Sequence, residues 1–282
     1  MFVEKILNHL NFRVMSKKQK TSGGFTSLAA SIAVAISLIL GIVIYKFIFG
    51  DPGNFVDGDP SAEPLEGNFM GIIYKGGIIV PVLVAMNLIV IIFSIERFIT
   101  LSKAKGKGRT DKFVEDIREK LESKQITEAI AACDAQKGSL ANVVRAGLEK
   151  YEHIAADATL DKDQKIESLK KELEEATSLE LPMLSKNLSV LSTSASVATL
   201  IGLIGTVLGM IRAFAAMSHG TPDTSALATG ISEALINTAF GIFASTLAII
   251  LYNFFSTKID TMTYSMDEAS FSIVQDFSTK NK

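Results

Sequence analysis

The stretch LSVLSTSASVATLIGLIGTVLGMIRAFAAM, Leu188 to Met217, decides the fold class. It is thirty residues of apolar and small side chains with one charge, Arg212. A helix needs roughly 20 such residues to cross a bilayer. A buried helix of a soluble protein is usually shorter and carries a polar stripe. Three further stretches read the same way: Phe25 to Phe49 with one charge at Lys46, Gly76 to Leu101 uncharged until Glu96 and Arg97, and Leu227 to Phe255 with one acid, Glu233. These four hold the excess behind a positive mean hydropathy of +0.32 in a chain of 282 residues. The expectation is an all-α, multi-pass membrane protein with four transmembrane helices, a helical cytoplasmic domain and long helices running from the membrane into the cytoplasm.

Composition excludes other classes. A net charge of −2 gives no field for nucleic acid. A single Cys rules out a disulfide framework, and three scattered His leave little for a metal centre. No P-loop, dinucleotide fingerprint, zinc-protease motif or nucleophile elbow is present, so no enzyme and no cofactor are expected. Cys133, beside Ala131 and Ala132, reads as a small packing residue.

Lys and Arg in the short flanks set the orientation. Lys5, Arg13, Lys17, Lys18 and Lys20 precede the first span. The next loop holds Asp51, Asp57, Asp59, Glu63 and Glu66 with no base before Lys75. Arg97, Lys103, Lys105, Lys107 and Arg109 follow the second span, Ser218 to Ser225 has no base, and Lys258 opens the tail. The expected order is cytoplasmic 1–24, an N-terminal span at 25–50, a periplasmic loop at 51–75, a span at 76–101, a cytoplasmic helical domain at 102–187, pore helices at 188–217 and 227–257 around a periplasmic loop at 218–226, and a cytoplasmic tail at 258–282. Both termini face the cytoplasm. The first span is longer than a signal-peptide core and lacks a following cleavage site, so it reads as retained.

In the central domain, Asp161 to Pro182 alternates charges at helical spacing, with Glu167 and Lys171 as a favourable i,i+4 pair. Two helices separated by a break fit this pattern. So does one long helix kinked at Pro182, which the unbroken charge alternation favours.

The spans differ in kind. The second is apolar nearly all round, which suits lipid contact. The first has no polar stripe, so it is expected at the periphery with no conducting residue. The third carries Ser192, Ser196, Thr199, Gly202, Thr206, Gly209 and Ala213 at steps of three or four. The fourth carries Gly230, Glu233, Asn237, Thr238, Gly241 and Ser245 on one side. Small residues let helices approach and hydroxyls bond across them. Two such stripes also suit a shared polar path. An ionisable residue inside a span is a functional candidate, which singles out Glu233. Arg212 either snorkels to the outer surface or pairs with an acid.

IGLIGTVLGMIRAF (Ile201 to Phe214) and GISEALINTAFGIFASTLAIILYNFF (Gly230 to Phe255) resemble the MotA/TolQ/ExbB proton channel family, its ExbB branch above all. IERFITL (Ile95 to Leu101) and the lead-in before the third span are similar too, so the resemblance runs from about Ile78 to Ile259. It implies a homopentamer in the bacterial inner membrane around an ExbD- or TolR-like single-span partner that supplies a transmembrane Asp. A TonB-like protein would pass the work to outer-membrane transport. It implies a proton pathway of Thr206, Glu233 and Thr238, with Ser192, Ser196, Thr199, Gly202, Asn237, Gly241 and Ser245 lining the pore and lipid around the ring. A TolQ-like or MotA-like stator, or a non-conducting scaffold, are the alternatives. The chain departs from the family in having Thr199 where a Pro is usual, and in its extra first span.

Overall fold

The computed structural model describes residues 22–156, 159–217 and 224–280. The basic stretch before the first span and most of the loop expected at 218–226 lie outside them. Among the described residues the chain is helical, and its one β-bridge joins Phe55 to Pro64. The helices are α1 (Ser22–Ile44), α2 (Phe69–Tyr74), α3 (Val80–Ala104), α4 (Thr110–Glu122), α5 (Ile126–Gln136), α6 (Gly138–Ala155), α7 (Lys162–Ser185), α8 (Leu188–Ala215) and α9 (Thr224–Lys280). Four helical segments are long and apolar enough to cross a membrane: α1 with the π-helical turn Tyr45–Phe49 that extends it, α3 with the turn before it, the stretch containing α8, and α9. The chain is a multi-pass membrane protein. It divides into two compact units, Met1–Ile92 with Ser192–Ile249, and Phe93–Leu191 with Ile250–Lys282.

In the first unit, α1 leaves Leu28, Ile32, Ile36 and Ile39 exposed, as a lipid-facing helix must. It approaches α3 through Gly41, where a Cβ would lie 2.5 Å from the Pro81 carbonyl. The second span departs from the expectation of lipid contact all round. It has the largest buried share of the four, with Val80, Leu83, Ala85 and Val90 fully covered. Inside a bilayer the same Ile, Val and Leu serve lipid and helix alike, so hydropathy does not separate the two faces.

The second unit is built on periodic apolar faces. Phe113, Ile117 and Leu121 of α4 are buried at steps of four. Gly147 of α6 lets Leu173 of α7 lie directly on the backbone. Asp161 caps α7 reciprocally with Gln164: its carboxylate accepts from the Gln164 amide at 2.8 Å, and the Gln164 side chain accepts from the Asp161 amide at 3.2 Å. The end of α9 buries Phe255, Ile259, Met266, Ala269, Ile273 and Phe277, so the fourth span continues unbroken into the tail.

The favoured single helix through Pro182 is not what forms. α7 passes Pro182, ends at Ser185, and α8 begins at Leu188. Asn187 between them has φ 59°, a left-handed conformation that Asn tolerates better than most residues. Arg97, 1% exposed, donates to the Leu184 carbonyl at 3.2 Å, one of the carbonyls left open at the end of α7. Glu96 holds Arg97 at 2.6 Å and accepts from Asn187 at 3.3 Å. The break is built, and its long-range hydrogen bonds join residues 87 and 91 positions apart in sequence.

Candidate functional site

α8 and α9 run antiparallel with their backbones close together. A Cβ on Gly209 would lie 2.7 Å from the Gly230 carbonyl, and one on Gly230 would lie 2.7 Å from the Ala213 amide. Gly202 and Gly241 meet the same way, at 2.9 and 3.1 Å. Ser245 closes the seam with a hydrogen bond to the Ala195 carbonyl. Only small side chains permit this spacing. Gly202, Asn237, Gly241 and Ser245 are therefore engaged between helices of one chain. Ser192, Ser196 and Thr199 sit on the exposed face of α8.

Close approach brings Thr206 and Thr238 into hydroxyl-to-hydroxyl contact. Thr206 also reaches the Gly202 carbonyl at 3.1 Å and the Ala234 carbonyl at 3.5 Å, and Thr238 reaches the Ala234 carbonyl at 3.0 Å. Each hydroxyl has one proton. Either Thr206 donates to Thr238, which donates to Ala234, or Thr238 donates to Thr206, which donates to Gly202. The two arrangements differ only by hydroxyl rotation. Both residues are half-buried, so the pair keeps one side open.

Toward the start of α9, Glu233 is 4% exposed and forms an ion pair with Arg212 of α8. Of the two expected roles for Arg212, pairing is the one observed. Removing the guanidinium would leave a buried carboxylate uncompensated, which is costly. One turn along, buried Asn237 donates to the Gly76 carbonyl at 2.9 Å. Gly76, Gly77 and Gly205 were not among the sequence candidates, yet Gly77 and Gly205 lie against Glu233 and Asn237, and the Gly76 carbonyl accepts from Asn237. Gly77 and Gly205 carry a readable signal only in retrospect: a glycine facing a polar side chain leaves room for it.

The model of the MotA/TolQ/ExbB proton channel family matches residues 135–268. This stretch, just under half of the chain, is similar to that family. It contains Thr206, Arg212, Glu233, Asn237 and Thr238. No curated protein matches the chain. The match begins well after the second span, so IERFITL and the first two spans lie outside it, and it extends past Ile259 into the tail. The family is one of proton channels whose members work as multimeric membrane complexes with partner proteins.

Proposed function

We propose that the chain is a non-enzymatic, ExbB-like subunit of an inner-membrane motor that couples proton flow to TonB-dependent transport. In this reading five copies surround an ExbD- or TolR-like partner, with both termini of each copy in the cytoplasm. The observation that supports it best is the hydroxyl contact between Thr206 and Thr238 inside the family stretch. A partner carboxylate passing this point finds a hydroxyl that donates, and a protonated one finds a lone pair that accepts. The pair serves both forms because its two protons can rearrange by rotation alone. A charged carboxylate stays at the polar seam, while a neutral one can cross apolar wall. The exposed Ser192, Ser196 and Thr199 extend the hydroxyl surface along α8, and Glu233 stands near one end of it.

The test is Thr206→Ala and Thr238→Ala, singly and together, with Thr206→Ser as the hydroxyl-retaining control. Loss of a half-buried hydrogen-bonding partner of this kind should slow a coupled step by about 10- to 100-fold. Growth that depends on energised uptake should fail in the Ala variants while the partner still co-purifies. Full growth of the double variant would refute the pathway.

A further inference from the structure

The carboxylate of Glu233 is buried, yet Arg212, its ion-pair partner, has a side chain 53% exposed. Part of the cover over Glu233 is backbone. Gly77, with φ +78°, faces the carboxylate so closely that any Cβ there would collide with it. Gly76 is fastened to α9 by the Asn237 hydrogen bond of 2.9 Å. The turn before the second span is therefore pinned onto the acid from the α9 side.

It is pinned from the other side by the first span. Tyr45, in the π-helical turn that extends α1, stacks on Tyr74 with ring centres 4.7 Å apart, and its hydroxyl donates to the Tyr74 carbonyl at 3.1 Å. A π turn at a helix end frees carbonyls, and Asn54 takes two of them, Ile48 at 2.8 Å and Phe49 at 3.1 Å. Asn68 then donates to Asn54 at 3.0 Å, and Lys75 donates to the carbonyls of Pro60 and Ser61 at 3.1 and 2.9 Å. The acidic loop is thus a small folded piece joined to both spans.

We propose that the first span and the 51–75 loop form a cap that holds the Gly76–Gly77 turn on Glu233 and closes that end of the hydroxyl path to bulk water. Arg212 is left as the solvent-facing half of the pair. Tyr45 and Tyr74 are positioning residues that act through the glycine turn. The proposal rests on the proton-pathway reading of Glu233, and it gives the extra span a task that the expectation of a purely peripheral helix denied it.

The experiment measures access and not conduction. In a Cys133→Ser background, Glu233→Cys is treated from outside with a membrane-impermeant thiol reagent, in cells carrying the full complex. Labelling should be slow. It should rise about tenfold when Tyr45→Ala and Tyr74→Ala remove the stacked pair. Tyr45→Phe keeps the ring and should stay slow. Asn54→Ala, which frees the end of the first span without touching the tyrosines, should also label faster, and it serves if the double variant does not assemble. Fast labelling with the cap intact, or unchanged labelling in both the double variant and Asn54→Ala, would overturn the proposal. Slow labelling that the cap variants accelerate, together with full activity of the Thr206 and Thr238 variants, would keep the cap and sink the pathway reading.

Discussion

At the scale of single residues, the structure separates side chains that pack from those that can do chemistry. Gly209 and Gly230 belong to the first kind, because each faces backbone of the other helix at 2.7 Å. Gly209→Val should lower the thermal midpoint of the purified protein, at a cost of about 1–3 kcal/mol, whereas Thr206→Ser should leave it unchanged. Equal midpoints for the two variants would mean that the seam is looser than its geometry. Cys133 offers a second check. Burial, and after it the Asp134 carboxylate, pushes its thiol up to about 12. In an unfolded chain a thiol ionises from about pH 8.5. Below that pH both states keep the proton, so the thiol adds no pH dependence to stability. Between there and about 12 only the unfolded state releases it, so stability falls as pH rises through this window. Iodoacetamide at pH 8 should leave Cys133 unmodified in the folded protein and modify it after denaturation. Rapid modification of the folded protein would contradict its burial. The sequence alone singled out Thr206, Glu233 and Thr238, since polar groups in apolar spans stand out. It left Arg212 with two roles and missed Gly76 altogether, because the hydrogen bond from Asn237 spans 161 positions and no periodicity encodes it.

The elements were legible wherever local pattern decides them and illegible where tertiary contacts do. Four apolar runs yield four spans because the bilayer sets their length. The buried face of the second span was hidden, since its apolar residues look alike on every side. The break between α7 and α8 was hidden for a different reason. Charge alternation in α7 continues up to Pro182, and Pro182 itself remains helical. The chain leaves the helix at Lys186, whose ψ is 140°, and turns through Asn187 in a left-handed conformation, while Arg97 takes the Leu184 carbonyl and Glu96 accepts from the Asn187 side chain. This makes Asn187 replaceable by residues that tolerate positive φ. Asn187→Gly keeps the turn and loses only the hydrogen bond to Glu96, so it should cost about 1 kcal/mol or less, while Asn187→Val, which loses the bond and strains the turn, should cost about 1–2 kcal/mol more than Gly, read from thermal unfolding. A Val variant as stable as the Gly variant would show that the chain straightens there at no cost and that the break is incidental.

For the whole molecule, the surface that one chain leaves uncovered is the strongest argument for assembly. Leu200, Leu203, Ile204, Val207, Ile211 and Phe214 are exposed along α8, and Leu235, Ile242 and Phe243 along α9. Lipid can cover such side chains, so apolar exposure alone does not demand a partner. The same helix α8 also exposes Ser192, Ser196 and Thr199, which gain nothing from hydrocarbon. A ring that turns these hydroxyls toward a shared centre satisfies both demands. The first span is attached near Gly41 and at Tyr45, and most of its apolar surface is open, so a ring built on α8 and α9 does not require it. On the proposed reading, native mass spectrometry in mild detergent should give five copies for the full chain. A variant lacking residues 1–50 but still inserted should also give five, with Glu233→Cys in that background labelled rapidly from outside. A full chain that stays monomeric or dimeric would remove the ring. Five copies for the full chain and none for the shortened one would make the first span a wedge between neighbouring subunits. A shortened ring whose position 233 stays protected would place the cover in the Gly76–Gly77 turn alone.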